Sequence, residues 1–294
     1  MEVLARRRTV QARLADYWSL LKFRQTAMLL VTGFCSYALT RGLPLDSQEA
    51  VWMATGLLFS IAGCTVLNML LDRDIDAQMG RTADRPLAAG RMRPFEAAAF
   101  GGALSVVGLA HCFALDLRFG AVVATGFAFD LLVYTIWLKR RTPLSIVFGG
   151  VSGGMPVLAG RVLALGRVDV VGILLAASIL LWIPSHILTL ALRYADDYRR
   201  AGVPVWPNVY GRRATGLVIA GANLLNVLIL MTCALLLQIH GIVLILLLGI
   251  SLVMFVLASL QLAAPTDERN WLLFKAASIY MLASSLLLTV GALA

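Results

Sequence analysis

Long apolar runs separated by shorter polar stretches set the pattern of this chain. They are Thr26 to Thr40, Ala50 to Leu71, Phe95 to Leu115, Phe119 to Leu138, Leu144 to Leu163, Val170 to Leu192, Thr215 to Leu237, Ile242 to Ala263 and Trp271 to Leu293. Most reach the roughly 20 residues that a helix needs to cross a bilayer, so nine transmembrane helices are expected. The first run starts late and has no small-x-small cleavage site before Arg41, which predicts a retained span rather than a signal peptide.

Composition agrees with that reading. Of the 294 residues 60% are hydrophobic and 14% charged, with a mean hydropathy of +0.85, the values of a polytopic membrane protein. Cys35, Cys64, Cys112 and Cys233 each lie inside an apolar run without CxxC or metal-ligand spacing, which points to packing roles. The formal charge of +9 raises the question of a nucleic-acid partner.

The distribution of that charge answers it. Threading the runs alternately through a bilayer puts five basic segments on one side. They are residues 1–25 with Arg6, Arg7, Arg8, Arg13, Lys22 and Arg24, the Asp72 to Arg93 loop, Lys139-Arg140-Arg141, the Arg193 to Arg213 loop, and Asp267 to Lys275. The other side receives Arg41, Arg118, Arg161 and Arg167, four of 25 basic residues. Basic excess marks the cytoplasmic side. The N-terminus is therefore expected in the cytoplasm and the C-terminus outside, in a bacterial-type inner or plasma membrane, with the lipid bilayer as partner and no nucleic acid. Arg7-Arg8 lacks the short, weakly apolar segment of a twin-arginine signal and is expected to anchor topology.

Two cytoplasmic loops carry the candidate chemistry. Asn68, Asp72 and Asp76 are spaced i, i+4, i+8, which stacks them on one helical face at the mouth of a span. Like charges stacked in this way repel, and oxygen ligands suit a hard ion such as Mg²⁺ between them; a solvated acidic helix end is the plainer alternative. Arg81, Arg85, Arg91 and Arg93 follow, and guanidinium groups bind phosphate oxygens bidentately. The Arg193 to Arg213 loop repeats this chemistry, with Asp196 and Asp197 set among arginines. Two such loops are suited to clamp one diphosphate through Mg²⁺ from both sides.

Other positions leave alternatives open. Gly149, Gly150, Gly153 and Gly154, with Ser152, permit close approach of another helix or, less commonly, of a flat ligand. Asp130 lies about 13 Å from Lys139 along a regular helix. It is a functional candidate by its depth, or else a neutral, hydrogen-bonded acid. His186 is either a hydrogen-bonded core residue or a ligand, while His111 and His240 fall toward the outer face.

Several ordered motifs carry a resemblance. They are Asn68-x-x-x-Asp72-Arg-Asp-Ile-Asp76-x-x-Met79-x-Arg81-Thr-x-x-Arg85-Pro86, Tyr134-Thr-x-x-Leu-Lys139-Arg140-Arg141-Thr142-Pro143, Pro184-x-His186, and Asp196-Asp197-Tyr198-x-x-Ala201-Gly202-Val-Pro204-x-x-Pro207. Together they resemble the UbiA-type intramembrane prenyltransferases, and within them the protohaem IX farnesyltransferase branch. The resemblance implies an all-α polytopic membrane protein, a single domain over 1–294 whose nine helices bundle around a central cavity open to the cytoplasmic side. It implies Mg²⁺ as cofactor, held by Asn68, Asp72, Asp76, Asp196 and Asp197. Arg81, Arg85, Lys139, Arg140 and Arg141 would lie nearest the leaving diphosphate, and Asp72, Asp76, Asp197, Arg81 and Lys139 would be catalytic. Tyr134, Tyr198, His186 and Asp130 would line the substrate cavity.

The implied reaction is Mg²⁺-dependent farnesyl transfer from farnesyl diphosphate to a vinyl group of haem b, making haem o for haem-copper oxidases. A homo-oligomer or a haem-handling partner protein is compatible with it. The chain departs from the branch at Phe23, Val157, Arg161, Ser185, Ile187-Leu188 and Tyr194-Ala195, while the acidic motifs are kept. The departures leave a quinone precursor, a chlorin or a lipid alcohol as alternative acceptors. The alternative from another class is an ion-coupled transporter using Asp130, although transporters place acids at the midplane of both halves.

Overall fold

The computed structural model describes residues 9–294, so Arg6, Arg7 and Arg8 of the basic N-terminal segment lie outside the described residues. From there on the segment is helical: α1 (Val10–Leu20) opens on Thr9, whose hydroxyl accepts from the Ala12 N–H. The remaining helices are α2 (Phe23–Arg41), α3 (Ser47–Leu71), α4 (Arg73–Gln78), α5 (Pro94–Leu115), α6 (Leu117–Leu138), α7 (Ser145–Leu165), α8 (Val170–Arg193), α9 (Ala195–Arg200), α10 (Trp206–Leu236), α11 (Gly241–Ala263) and α12 (Asp267–Leu293). Among the described residues there is no strand.

Polar residues at the loop ends start these helices by accepting from their first free N–H groups. Asp46 does so for α3, Asp116 for α6, Asp169 for α8 and Thr266 for α12. Pro94 opens α5, where its missing N–H costs nothing.

Eight helices of the described residues are long and apolar enough to cross a membrane: α3, α5, α6, α7, α8, α10, α11 and α12. The first expected run forms α2, a continuous helix of 19 residues, but a more polar one. Its Thr26 and Thr32 are buried and return their hydroxyls to backbone carbonyls at 2.7 and 2.9 Å. Residues Thr32, Gly33 and Cys35 to Leu39 of this helix are buried.

The helices form a ring in chain order. Each of α2, α3, α5, α6, α7, α8, α10, α11 and α12 packs on the next, and α12 closes back onto α2. Contact between α2 and α7 pinches the ring into two lobes, each with its own apolar core. The pinch is tight because a Cβ at Gly160 would lie 2.2 Å from the Gly33 carbonyl oxygen, so the backbones touch where only glycine allows it.

Two helices leave α geometry on approaching the charged end. Residues Phe129–Leu138 of α6 and Pro184–Leu188 of α8 are π-helical, and the Lys139 N–H donates to the Tyr134 carbonyl, five residues back, at 2.8 Å. Asp130 therefore does not sit on the regular helix that its spacing from Lys139 assumes. The two π segments carry Asp130, Tyr134 and His186, and such segments often mark functional sites.

Candidate active site

The acidic motif occupies the end of α3 and the one-and-a-half turns of α4, with Asp72 at the junction (φ −92°, ψ 1°). Hydrogen bonds from Asp72 N to the Asn68 carbonyl (3.0 Å) and from Asp76 N to the Asp72 carbonyl (2.8 Å) carry the helical register across it. Asn68, Asp72 and Asp76 consequently share an inward face, 9%, 3% and 5% exposed. Asp74, two residues off that register, points outward.

Each inward group is held by a distant element. The Asn68 amide donates to Thr135 Oγ1 at 2.7 Å, and Thr135 in turn donates to the Asp130 carbonyl at 2.7 Å, within the π segment of α6. Lys139, at the end of α6, pairs with Asp72 Oδ2, while Asp72 Oδ1 is buried without any partner. Arg85 places one Nη between both Asp76 oxygens, at 2.8 and 2.7 Å. Burial opposes the charge on Lys139, but Tyr134 and Asp72 outweigh it and hold the amine above the ordinary lysine range. Its Nζ lies 5.5 Å from the centre of the Tyr134 ring.

A further cation stands here that the sequence reading took only as a topology signal. Lys22, between α1 and α2, adopts the left-handed backbone conformation (φ 43°, ψ 52°) that a side chain rarely takes. Burial of its amine, with Arg85 and Lys139 nearby, brings its pKa down to about 8 against the pull of Asp72 and Asp130. The one signal in the sequence was a lysine at the foot of the first span.

The second acidic loop meets the first. Ile75 and Met79 pack with Val203, Tyr198, Ala201 and Val205 in a small apolar cluster that staples α4 to α9 and the chain after it. Gly80 faces Asp197, whose Oδ2 lies 3.7 Å from where a Cβ would be. Asp197 is mostly covered and pairs with Arg200; Asp196 is 80% exposed and pairs with Arg199 at 3.0 Å. Arg81 reaches across and lies 5.3 Å over the Tyr194 ring.

Asn68, Asp72, Asp76, Arg85, Lys139 and Tyr134 are thus brought together, with Asp197 and Tyr198 on the facing loop and Arg81 reaching across to it from the first. Arg140 is directed elsewhere, making two 2.7 Å bonds to Asp74 that hold that carboxyl down at about 2, and Arg141 is exposed. Among the described residues no three acidic, histidine or cysteine side chains converge as a ready cage for an ion. Asn68, Asp72 and Asp76 nonetheless fit a hard cation: each offers oxygen, all three are buried, and Asp72 keeps one oxygen without a partner.

Deeper in the bundle, Asp130 receives the Ser152 hydroxyl on Oδ1 at 3.2 Å and the Cys64 thiol on Oδ2 at 3.4 Å, so both oxygens are engaged. The glycine face of α7 serves packing. Gly150, Gly153 and Gly154 abut Leu180, Ile183 and the Ala176 carbonyl of α8, and only Gly149 meets the Tyr134 ring. His186 is sandwiched between Trp182 and Phe274, ring centres 4.9 and 5.3 Å away, with its buried Nδ1 unpartnered.

The departures acquire local reasons. Ser185 accepts from the buried Asn223 of α10. Arg161, buried at the end of α7 far from the acidic loops, binds both oxygens of Asp169 at 2.7 and 2.6 Å and the Thr40 hydroxyl at 2.9 Å.

A polytopic bundle of apolar helices, with two acidic, arginine-bearing loops joined at one end, defines an integral membrane protein. The chain belongs to the UbiA prenyltransferase family, whose model matches residues 29–286, and it is a prenyltransferase. Relatives named protoheme IX farnesyltransferase include one from Korarchaeum cryptofilum, 42% identical over 74% of this chain and 74% of its own. Another, from Pyrobaculum arsenaticum, is 40% identical over 89% of this chain and 94% of its own. Among solved structures, a digeranylgeranylglyceryl phosphate synthase superposes with a TM-score of 0.78 at 21% identity, covering 96% of this chain and 99% of that one. A UbiA homologue from Archaeoglobus fulgidus bound to GPP and Mg²⁺ superposes at 0.68 and 16% identity, over 94% and 99%. The last two share the fold.

Proposed function

We propose that this enzyme transfers the farnesyl group of farnesyl diphosphate to a vinyl group of haem b, giving haem o. The acceptor reading is supported by the relatives named for that reaction, which align along most of both chains. The donor reading rests on one observation, the buried Asp72 with an unpartnered oxygen among Asn68, Asp76, Lys139 and Arg85.

Asn68, Asp72 and Asp76 from one loop and Asp197 from the other would hold Mg²⁺, with Asp196 at the exposed rim. When bound, the ion neutralises charge on the departing diphosphate. Lys139 and Arg85, now paired to Asp72 and Asp76, are within reach to turn onto phosphate oxygens, with Arg81 and Lys22 beside them. Arg140 and Arg141, at the surface, contribute attraction for the incoming anion.

As the carbon–oxygen bond breaks, its electron pair leaves with the diphosphate and the allylic carbon becomes cationic. The Tyr134 and Tyr198 rings offer π faces to that charge. The vinyl π pair of haem forms the new carbon–carbon bond, and water adds to the resulting cation and releases a proton. Apolar helix walls keep water away until then.

Incubating purified protein with haem b, farnesyl diphosphate and Mg²⁺ is expected to yield haem o by mass, with loss on chelation and recovery on adding Mg²⁺. Product only with a quinone precursor, a chlorin or a lipid alcohol would replace the acceptor. No product with any of them would overturn the donor assignment.

A further inference from the structure

Behind the second acidic loop, on the side of α9 turned away from the first, lies a cavity of about 470 Å³ between α8, α9, α10 and α12. Asp196 and Arg199 line it, whereas the neighbouring Asp197 faces Gly80 and the first loop. Its charges are mostly settled internally: Arg199 pairs with Asp196 and Arg212 with Asp267. Arg193 is different. Its guanidinium lies 4.7 Å over the Trp271 ring, and among the described residues it has no carboxylate partner.

Lys275 lies 5.7 Å from the same ring, likewise without an ion pair among the described residues. Two uncompensated cations therefore flank one indole that lines the cavity. Thr189, 4% exposed and also lining it, has a buried hydroxyl with no partner. A buried polar atom without a partner is costly unless a ligand or water completes it.

Aromatic surface leads from this cavity into the bundle. Trp271 stacks on Phe274 (5.0 Å, 14°), Phe274 on His186 (5.3 Å, 20°), and His186 on Trp182 (4.9 Å, 22°). The faces of Phe274 and His186 are taken up by their neighbours, so the row is an aromatic wall that runs into the bundle from two cations and a hydroxyl at the cavity mouth. A flat aromatic ligand bearing two carboxylates has the complementary distribution.

We propose that the cavity is the docking site for the carboxylate pair of the acceptor, with Arg193 and Lys275 each receiving one carboxylate and Thr189 donating to one of them. The proposal deepens the haem reading and rests on it, since haem b carries two propionates on one edge. Guanidinium over indole keeps its in-plane N–H groups free for a carboxylate, so Arg193 is set to bind without leaving Trp271.

The test titrates purified protein with haem b and with its dimethyl ester, following the haem absorption band, in wild type, Arg193→Gln and Lys275→Gln. Both variants change exposed side chains, and neither breaks an ion pair among the described residues. Wild type is expected to bind the free acid about tenfold or more tighter than the ester, about 1.4 kcal/mol or more. Each variant should lose most of that preference while leaving ester binding and the KM for farnesyl diphosphate unchanged. Variants that keep the wild-type preference, or a wild type that binds acid and ester alike, would overturn the subsite. Haem o formation is scored separately. A protein that prefers the free acid but makes no haem o keeps the subsite and loses the haem reading; haem o made with no such preference does the reverse.

Discussion

Asp72 and Asp74 stand two residues apart and are separated by the helix itself. Asp72 is buried with a free oxygen, while Asp74 is 56% exposed and committed to Arg140. Asp72→Asn is expected to lower turnover by about 10²-fold or more, the scale seen when a group stabilising developing charge is lost. Asp74→Asn should stay within a few-fold, since an exposed ion pair contributes about 0–1 kcal/mol. Steady-state turnover of the two variants side by side checks the sidedness, and equal losses would refute it.

Lys22 makes the second prediction at this scale. Its pKa in the folded protein is about 8, below the ordinary 10.5, so the folded state disfavours its charge. Between about pH 8 and 10.5 the unfolded chain holds a proton that the folded one has shed, and the stability contributed by this group rises with pH. Below pH 8 both forms are charged and the penalty is complete. Lys22→Met should therefore raise the unfolding temperature at pH 7 while raising the KM for the diphosphate donor. The stability gain should fade above pH 10.

Among the residues of the site, what the sequence disclosed follows from helical period. Asn68, Asp72 and Asp76 are four apart, so their common face is written in their spacing, as is the outward turn of Asp74. The partners are hidden for the complementary reason. Lys139 meets Asp72 at a sequence separation of 67, and Thr135 meets Asn68 at the same separation, pairings that only the packing of α6 on α3 creates.

The elements differ most from their expected form at α2 and α6. A run of apolar residues marks a span, yet α2 is polar enough that its place comes from burial between α7 and α12 rather than from hydropathy. Arg161 shows how charge at the far end is accommodated. It was counted as one of four outer basic residues, and it turns out to tie α7 to α8 through Asp169 and to α2 through Thr40. Removing one partner of a largely buried pair costs about 3–5 kcal/mol. Arg161→Ala should accordingly lower the thermal unfolding temperature by several degrees and leave KM values unchanged. Unaltered melting would show that the pair is dispensable.

At the scale of the whole molecule, α12 closes back onto α2, so among residues 9–294 neither lobe has its full set of neighbours alone. The basic loops all gather at the end that carries Asp72 and Asp197, which supports a cytoplasmic site by the rule of positive charge. Reporter fusions are expected to place Lys139 to Arg141 in the cytoplasm and Ala294 outside, because the five helices α7, α8, α10, α11 and α12 lie between them. A cytoplasmic Ala294 with a cytoplasmic Lys139 would mean that one of the nine expected spans does not cross.

The π segment of α6 sets a phase. Each residue of an ordinary helix advances the direction of its side chain by about 100°, so a single deletion between Phe129 and Leu138 would let the backbone relax into regular α geometry and turn everything downstream by about that angle. Lys139 would then look past Asp72, and Tyr134 past the donor, although the local hydrogen bonding had improved. The helix is wound out of step with itself so that its last turn arrives aimed, and a sequence tidied for helical regularity would lose the aim first.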